Sequence, residues 1–543
     1  DIREFAGDFW YETEVFVPGE WRKMHVDLRF AALTHRGTVY VNGQEVISHE
    51  GGFLPFSARI DDVVRWNEKN LVVVKGNNEL SFTSLPAGFT QTLKSGKKMI
   101  RPFFDFFNYA GIQRPVKLVA LPKEYIEDFT VNHRLDGTTA YVDYQMETTG
   151  NHPVTVEVFD ENGSFVTKAE GKTGTITIPE ARLWEVRAAY LYRFVLKIME
   201  GDAVIDEYEE EIGIRTFEIQ GTSFILNGHP VYLKGFGKHE DSDIVGRGYN
   251  PGVIKRDFEL MKWIGANSFR TSHYPYSEEI YQMADREGFL VIDEVPAVGF
   301  FESLVNFVDA VSGKSTNFFD RPSVPELKKN HLAMLEDLIR RDKNHACVIA
   351  WSLFNDPDTM SESAVPYFAD IFAKARELDV QKRPRTFAME LNSSPEKCTC
   401  HQFSDFLCFN RYYGWYLLGG YEMQDAEEAF RAELDAWLAK GVNCPFVFTE
   451  YGCDNLQGEY KLPSVQWSAE YELEYLKIYE RVFDSYDCIK GEQVWNFADF
   501  QTVEGIMRVN GNKKGIFTRQ RQPKAAAYYF KNRWENLPVD YKG

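Results

Sequence analysis

Residues 347–356 read CVIAWSLFND, and this run decides the fold. It is apolar on both faces of an extended chain and ends directly in Asn355 and Asp356, with Pro357 and Asp358 behind them. A strand that is apolar on both faces belongs to a parallel sheet covered by helices. Comparable runs recur: VYLKGFG (231–237), ANSFRTS (266–272), FLVIDE (289–294), PRTFAME (384–390), FLCFNRY (406–412), PFVFTE (445–450) and GEQVWNF (491–497). Mostly they are separated by helical stretches. In NPGVIKRDFELMKWIGA (250–266), Asn250 is placed to cap a helix and Pro251 to open it, while Ile254, Phe258, Met261 and Ile264 share one face. SEEIYQMADREG (277–288) has acids at its start and a glycine at its end. Eight strand–helix units over residues 217–543 predict a (β/α)8 TIM barrel.

Upstream the rhythm is different. Residues 1–120 alternate with period two, and GTVYVNGQEVISH (37–49) is a hairpin about Asn-Gly, so a β-sandwich is predicted. Residues 121–216 continue with AYVDYQMETT, VTVEVFD and YLYRFVLKIME, the length and pattern of an immunoglobulin-like sandwich. The chain begins DIREFAGDFWYETEVFVP, with no Met and no apolar leader core, so the first sandwich is expected to be entered part-way through.

Composition narrows the partners. The 543 residues carry 61 basic and 81 acidic side chains, a formal net charge of −20, which disfavours nucleic acid and anionic membranes. No run of about 18 apolar residues suits a bilayer span. The seven cysteines all lie beyond residue 346, several inside apolar runs, and read as buried free thiols of a reducing, cytoplasmic compartment. Cys398 and Cys400 have no second ligand pair at zinc spacing, so neither metal nor cofactor is expected.

In a TIM barrel, catalytic groups sit where strands end. The ends here bring Lys238, His239 and Asp241; Arg270 and His273; Asp293 and Glu294; Asn355 and Asp356; Glu390; Asn410, Arg411, Tyr412 and Tyr413; Glu450 and Tyr451; and Trp495 and Asn496. Asp356 and Glu450 close the fourth and seventh strands. Two carboxyl groups facing each other across a sugar are what glycoside hydrolysis requires, one protonated and one ionised. A lone acid after a strand is more often a helix cap or an ion-pair member, and Asp358 is read that way. There is no phosphate loop, nucleophile elbow or metal-binding helix motif.

The motifs GKHEDSD, NSFRTSHYPYSEE, VIDE, RRDKNH, WSLFNDPDT, FNRYYGWY, FTEYG, GEQVWNFADF and GNKKGIFTRQRQPK, with DFFNYAGIQRPV in the first domain, closely resemble β-glucuronidases of glycoside hydrolase family 2. The resemblance covers nearly the whole chain. It implies a jelly-roll sugar-binding domain (1–120), an immunoglobulin-like domain (121–216) and a catalytic barrel (217–543), with part of the jelly roll missing at its start. It implies a retaining exo-glycosidase releasing glucuronic acid from β-D-glucuronides, with Glu450 as nucleophile and Asp356 at the acid/base position. There the family carries Glu, in NEP, where this chain reads FNDP. One methylene less is about 1 Å of reach, and a misplacement of that size costs about 10²-fold in rate. Reduced activity is therefore expected.

A uronic acid must also be held by its C6 carboxylate, which a net charge of −20 repels outside a local cationic pocket. Asn512 and Lys514 match the family's Asn-x-Lys pair for that carboxylate, and Arg508 matches a contact in the same loop. Asp105 matches a sugar contact from the first domain, and His239 and Asn355 match hydroxyl contacts. Asn410 belongs with this substrate-binding set. Tyr412, Tyr416 and Trp495 match the aromatic wall, with Tyr412 also orienting Glu450. His273 is expected behind these groups. Residues 300–325, rich in aromatics with Gly, Ser and Pro, are expected as a long loop on the aglycone side or at an oligomer contact. The resemblance implies a homo-oligomer, dimer or tetramer. A family 2 β-galactosidase or β-galacturonidase, and a carbohydrate-binding protein with little turnover, stay open beside the glucuronidase.

Overall fold

The structure is a computed structural model that describes residues 4–303 and 316–538. Each of the eight runs is a barrel strand: β1 (Leu233–Gly237), β2 (Ser268–Arg270), β3 (Leu290–Glu294), β4 (Val348–Asn355), β5 (Arg385–Met389), β6 (Leu407–Asn410), β7 (Phe446–Glu450) and β8 (Ile489–Val494). They pair in sequence order, all parallel, and the ring closes from Leu233 against Gly491 to Phe236 against Val494. Apart from Arg385 at the start of β5, every strand residue is buried. This double-sided burial is why the sequence shows continuous apolar runs instead of alternation.

Seven helices sheathe the barrel among the described residues: α1 (Pro251–Ile264), α2 (Glu278–Glu287), α3 (Val324–Asp342), α4 (Ala364–Leu378), α5 (Met423–Ala439), α6 (Ala469–Phe483) and α7 (Ala525–Asn536). α1 begins where the sequence places it. Asn250 Oδ1 accepts the N–H groups of Gly252 (3.0 Å) and Val253 (3.2 Å), a cap worth about 1 kcal/mol. Gly265, at φ +85°, ends it. Phe258, Met261 and Ile264 are fully buried, and Ile254 packs partly against the same core.

The expectation of regular strand–helix alternation fails between β5 and β6. That connection holds one 3-10 turn, His401–Phe403, and no α-helix. Pro395 and the serines around it disfavour a helix. The Arg411 guanidinium also takes up carbonyl oxygens there, donating to Met389 O (2.7 Å), Glu390 O (2.9 Å) and Ser393 O (3.0 Å). Those carbonyls are satisfied without an intrahelical partner.

The first domain packs a four-stranded antiparallel sheet (Asp8–Val17, Glu68–Asn77, Arg36–Val41, Gln44–Glu50) on a three-stranded one (Val116–Leu121, His25–Phe30, Phe56–Arg59). Its hairpin turns at Asn42 (φ +50°) and Gly43 (φ +83°), the two positive angles that a two-residue type I′ turn needs. The second domain is a sandwich of three and four strands around Val131, Val142, Val156 and Phe194, all fully buried.

Phe53, Leu54, Phe103, Phe104 and Phe106 of the first domain belong to the same apolar cluster as the barrel. Arg114 rivets this joint, donating to Phe53 O (2.6 Å), Glu240 (2.9 Å) and Pro275 O (2.8 Å). The jelly roll is thereby fixed against the C-terminal mouth of the barrel. Of the loop at 300–325, residues 304–315 lie outside the described residues. Its described phenylalanines, Phe300, Phe301, Phe318 and Phe319, are buried, not exposed as their Gly- and Ser-rich surroundings predict. Phe318 stacks on Phe300 (centroids 5.1 Å), so aromatic packing overrides loop composition.

Candidate active site

Glu450, the last residue of β7, is nearly sealed from water and fully partnered. Its Oε1 accepts from Arg270 Nη2 at 2.6 Å, its Oε2 from Tyr412 Oη at 2.7 Å, and His273 Nε2 lies 3.6 Å from Oε1. Arg270, at the end of β2, is fully buried and reaches the other way to Glu294 at 2.7 Å. Glu294 is in turn bonded by Ser352 Oγ (2.7 Å) and His273 Nδ1 (2.9 Å). Sequence reasoning noted Arg270 and Glu294 only as strand ends, and it put His273 behind the site; all three form the bed on which Glu450 lies. An Arg closing a buried barrel strand was the available signal, because a buried guanidinium demands carboxylates.

Asp356 follows β4 at φ +49°, in the left-handed region that Asp tolerates better than most residues. Its N–H is held by Ala388 O (3.0 Å), and its Oδ1 accepts from Asn410 Nδ2 (2.8 Å). Asn410 also donates to Asn355 Oδ1 (3.1 Å), which takes a further N–H from Arg270 (3.3 Å). Asn355, Asn410 and Arg270 thus tie the two carboxyl groups into one network. Burial pushes both acids up. For Asp356 the Asn410 bond and Arg270 pull the other way; for Glu450 it is Arg270 first, while the Asp356 charge pushes it further up. Glu450 touches a guanidinium, whereas Asp356 has only an amide.

A second group faces the same mouth. Asp105, from the first domain, is bound by Arg508 through Nε (2.9 Å) and Nη2 (2.5 Å), and by Asn512 Nδ2 (3.1 Å). Arg508 also donates to Tyr416 Oη (2.9 Å). Asn512 Oδ1 accepts the Lys514 N–H (3.0 Å), and Lys514 Nζ lies over the Tyr416 ring at 4.6 Å and that of Tyr412 at 5.8 Å. Tyr412 reaches Glu450 with its hydroxyl and Lys514 with its face, so one aromatic ring separates the Glu450 carboxyl from the cationic corner. Asp454, which sequence reasoning missed, is the buried partner of Lys514.

His239 sits after β1 among Phe500 (4.4 Å), Phe106 (5.1 Å) and Trp495 (5.3 Å). Burial, with His273 and Arg270 nearby, keeps its imidazole neutral. Its Nδ1 meets Tyr274 Oη at 3.1 Å, and its buried Nε2 has no protein partner among the described residues. Trp495 stacks on His273 (5.0 Å). Asp358, read as a cap, holds Thr316 through its backbone N–H (2.7 Å) and hydroxyl (3.0 Å), and accepts the Met360 N–H (3.3 Å). All seven cysteines are free, and six are buried. Cys347 makes a close group with Asp285 and His345 at the foot of the barrel, bonded internally: His345 Nδ1 to Asp285 at 2.6 Å and the Cys347 N–H to Asp285 at 2.8 Å. No helix among the described residues is long and apolar enough to cross a membrane.

Residues 1–122 match the sugar binding domain of glycosyl hydrolases family 2, residues 124–215 a further domain of that family, and residues 217–539 its TIM barrel domain. A β-glucuronidase of Paenibacillus borealis is 43% identical over 99% of this chain and 89% of its own length. One from Chlorocebus aethiops is 37% identical, over 98% and 83%. The solved β-glucuronidase of Ruminococcus gnavus is 58% identical with a TM-score of 0.98, covering 99% of this chain and 89% of that one. The same enzyme has been solved in complex with uronic isofagomine. With its three domains matched in order and such relatives along nearly its whole length, the chain belongs to glycosyl hydrolase family 2.

Proposed function

We propose that this protein is a retaining exo-β-glucuronidase. Asp356 protonates the leaving oxygen, while Glu450 attacks the anomeric carbon to form a glycosyl-enzyme. Asp356, now ionised, takes a proton from the water that releases glucuronic acid. Arg270 and Tyr412 hold Glu450 as the anion. The His239 imidazole, Asn355, Asn410 and Asp105 read hydroxyl groups, Tyr416 and Trp495 wall the sugar, and Arg508, Asn512 and Lys514 take its carboxylate.

The observation that carries the substrate reading is the shared mouth: Glu450 meets the hydroxyl of Tyr412 and Lys514 the face of the same ring. The uronic isofagomine bound by the Ruminococcus gnavus relative agrees with a C6 carboxylate pocket. The test is hydrolysis of 4-nitrophenyl β-D-glucuronide beside the β-galactoside and β-galacturonide. Glucuronide turnover that collapses in Lys514→Met supports the reading; a preferred neutral galactoside, indifferent to that change, sinks it.

Asp356 favours a second reading, a carbohydrate-binding protein with little turnover, because its side chain is one methylene short of the family's Glu. Measured binding of glucuronic acid without hydrolysis of the glucuronide would establish it. The buried thiols suit a reducing cytoplasm, to be checked by cell fractionation. A homo-oligomer is expected from the family, and light scattering on the purified protein tests it.

A further inference from the structure

Lys514 does not face the mouth alone. Its Nζ donates to Asp454 Oδ2, and both side chains are wholly sealed from water. Asp454 lies four residues beyond Glu450 on the loop leaving β7. Its Oδ1 accepts the Lys513 N–H at 2.8 Å, and Arg508 Nη1 stands 3.6 Å from Oδ2. On its other sides the ammonium faces the rings of Tyr416 (4.6 Å), Trp415 (5.1 Å) and Tyr412 (5.8 Å). Cys453 is its neighbour on the Asp454 loop, and Asp105 closes the corner through Arg508. Behind Asp454 stands Glu472, with Lys524 and Asp499 beyond it. Burial pushes the Asp454 carboxyl up, but Lys514 and Arg508 hold it below the ordinary carboxylate value.

We propose that Asp454 is a specificity-determining positioning residue: the resident counter-ion that keeps Lys514 a cation, aimed at the C6 corner, while the pocket is empty. This deepens the glucuronidase reading and rests on it. An ammonium sealed from water without a counter-charge gives up its proton, and buried lysines titrate as low as about 5–6. Aromatic faces return less than the desolvation of a lone buried ion costs. With Asp454 in place the corner is balanced, Arg508 and Lys514 against Asp105 and Asp454. An arriving uronate then meets a charge already formed and needs no proton from solution. Asp454 touches no substrate in this scheme and acts through Lys514.

The experiment compares kcat/KM against pH for 4-nitrophenyl β-D-glucuronide and β-D-glucoside, so that titration of the catalytic acids cancels in the ratio. In the wild type the ratio favours the glucuronide and is flat. In Asp454→Asn it falls about tenfold per pH unit above the new lysine value. Adding Lys514→Arg restores flatness, because a guanidinium stays charged. A flat ratio in Asp454→Asn, or an equal loss on both substrates, overturns the proposal. A wild type that prefers the glucoside overturns the glucuronidase reading instead. If Asp454→Asn does not fold, the wild type carries the test: glucuronic acid is titrated calorimetrically at pH 8.5 in two buffers of different ionisation enthalpy. No proton taken up on binding is expected, and uptake of a full proton overturns it.

Discussion

Arg270 lies 2.6 Å from the carboxylate of Glu450, out of reach of water. The same guanidinium holds Glu294 at 2.7 Å, so one cation serves two acids, from the ends of β3 and β7. Cutting such a buried contact strands a charge, at a cost of about 3–5 kcal/mol. Arg270→Met is expected to lower glucuronide kcat by at least about 10²-fold and to move the acid limb of the pH profile upward, since Glu450 loses its main anion-stabilising donor. Steady-state kinetics between pH 4 and 8 read both effects. A variant with an unchanged acid limb would show that Arg270 serves the fold alone.

Under the proposed function, Asp356 stands where the family resemblance places a Glu and is one methylene shorter. If reach limits proton transfer, Asp356→Glu raises kcat by about 10²-fold. The gain is largest for substrates with poor leaving groups, which need the proton most. Equal turnover in the two proteins would mean that the left-handed backbone at Asp356, φ +49°, already makes up the distance.

The pH dependence follows from the same residue. Burial pushes the Asp356 carboxyl up to about 6, against the pull of Asn410 and Arg270. The acid must be protonated to assist departure of the leaving group. Burial pushes Glu450 up as well, to about 7, so the two acids titrate as a pair, and kcat/KM for glucuronides is expected to fall on the basic side once the proton they share is lost. In Asp356→Asn this basic limb vanishes while the acid limb, set by Glu450, stays. Retention of the basic limb in that variant would move the acid role to another group.

Glu390, at the end of β5, gives a stability prediction. Burial pushes its carboxyl up to about 8, although the Asn392 N–H at 2.6 Å pulls it down. An unfolded Glu titrates near 4.3, so between about pH 4 and 8 the folded chain holds the extra proton. Its contribution is complete below the unfolded value and is lost as pH climbs through the folded one. Glu390→Gln cannot ionise. Its stability should equal that of the wild type at pH 4 and exceed it by on the order of 5 kcal/mol at pH 8.5. Thermal or urea unfolding at the two pH values measures this; a margin independent of pH would contradict it.

The barrel was legible because burial on both faces writes a strand as an unbroken apolar run, as CVIAWSLF shows. The strand ends singled out Asp356 and Glu450, whereas Asn512 and Lys514 were singled out by the family resemblance alone. Arg270 was harder to read, since its meaning lies in Glu294 and Glu450, which only the closed ring brings beside it. Asp454 looked like any acid in a loop until Lys514, 60 residues later, arrived against it. The β5–β6 connection misled because its carbonyls are satisfied by Arg411 from the next strand end. At 318–319 loop composition was a poor guide, because Phe300 offered those rings a partner.

Asp105 and Arg508 stand 403 positions apart in the chain, yet they share one wall of the pocket. A ribosome delivers them in order, and domains fold as they emerge. The nascent chain can complete both sandwiches and most of the barrel while the sugar's cradle still lacks a side. Competence thus arrives late in synthesis, only once residue 514 has left the exit tunnel.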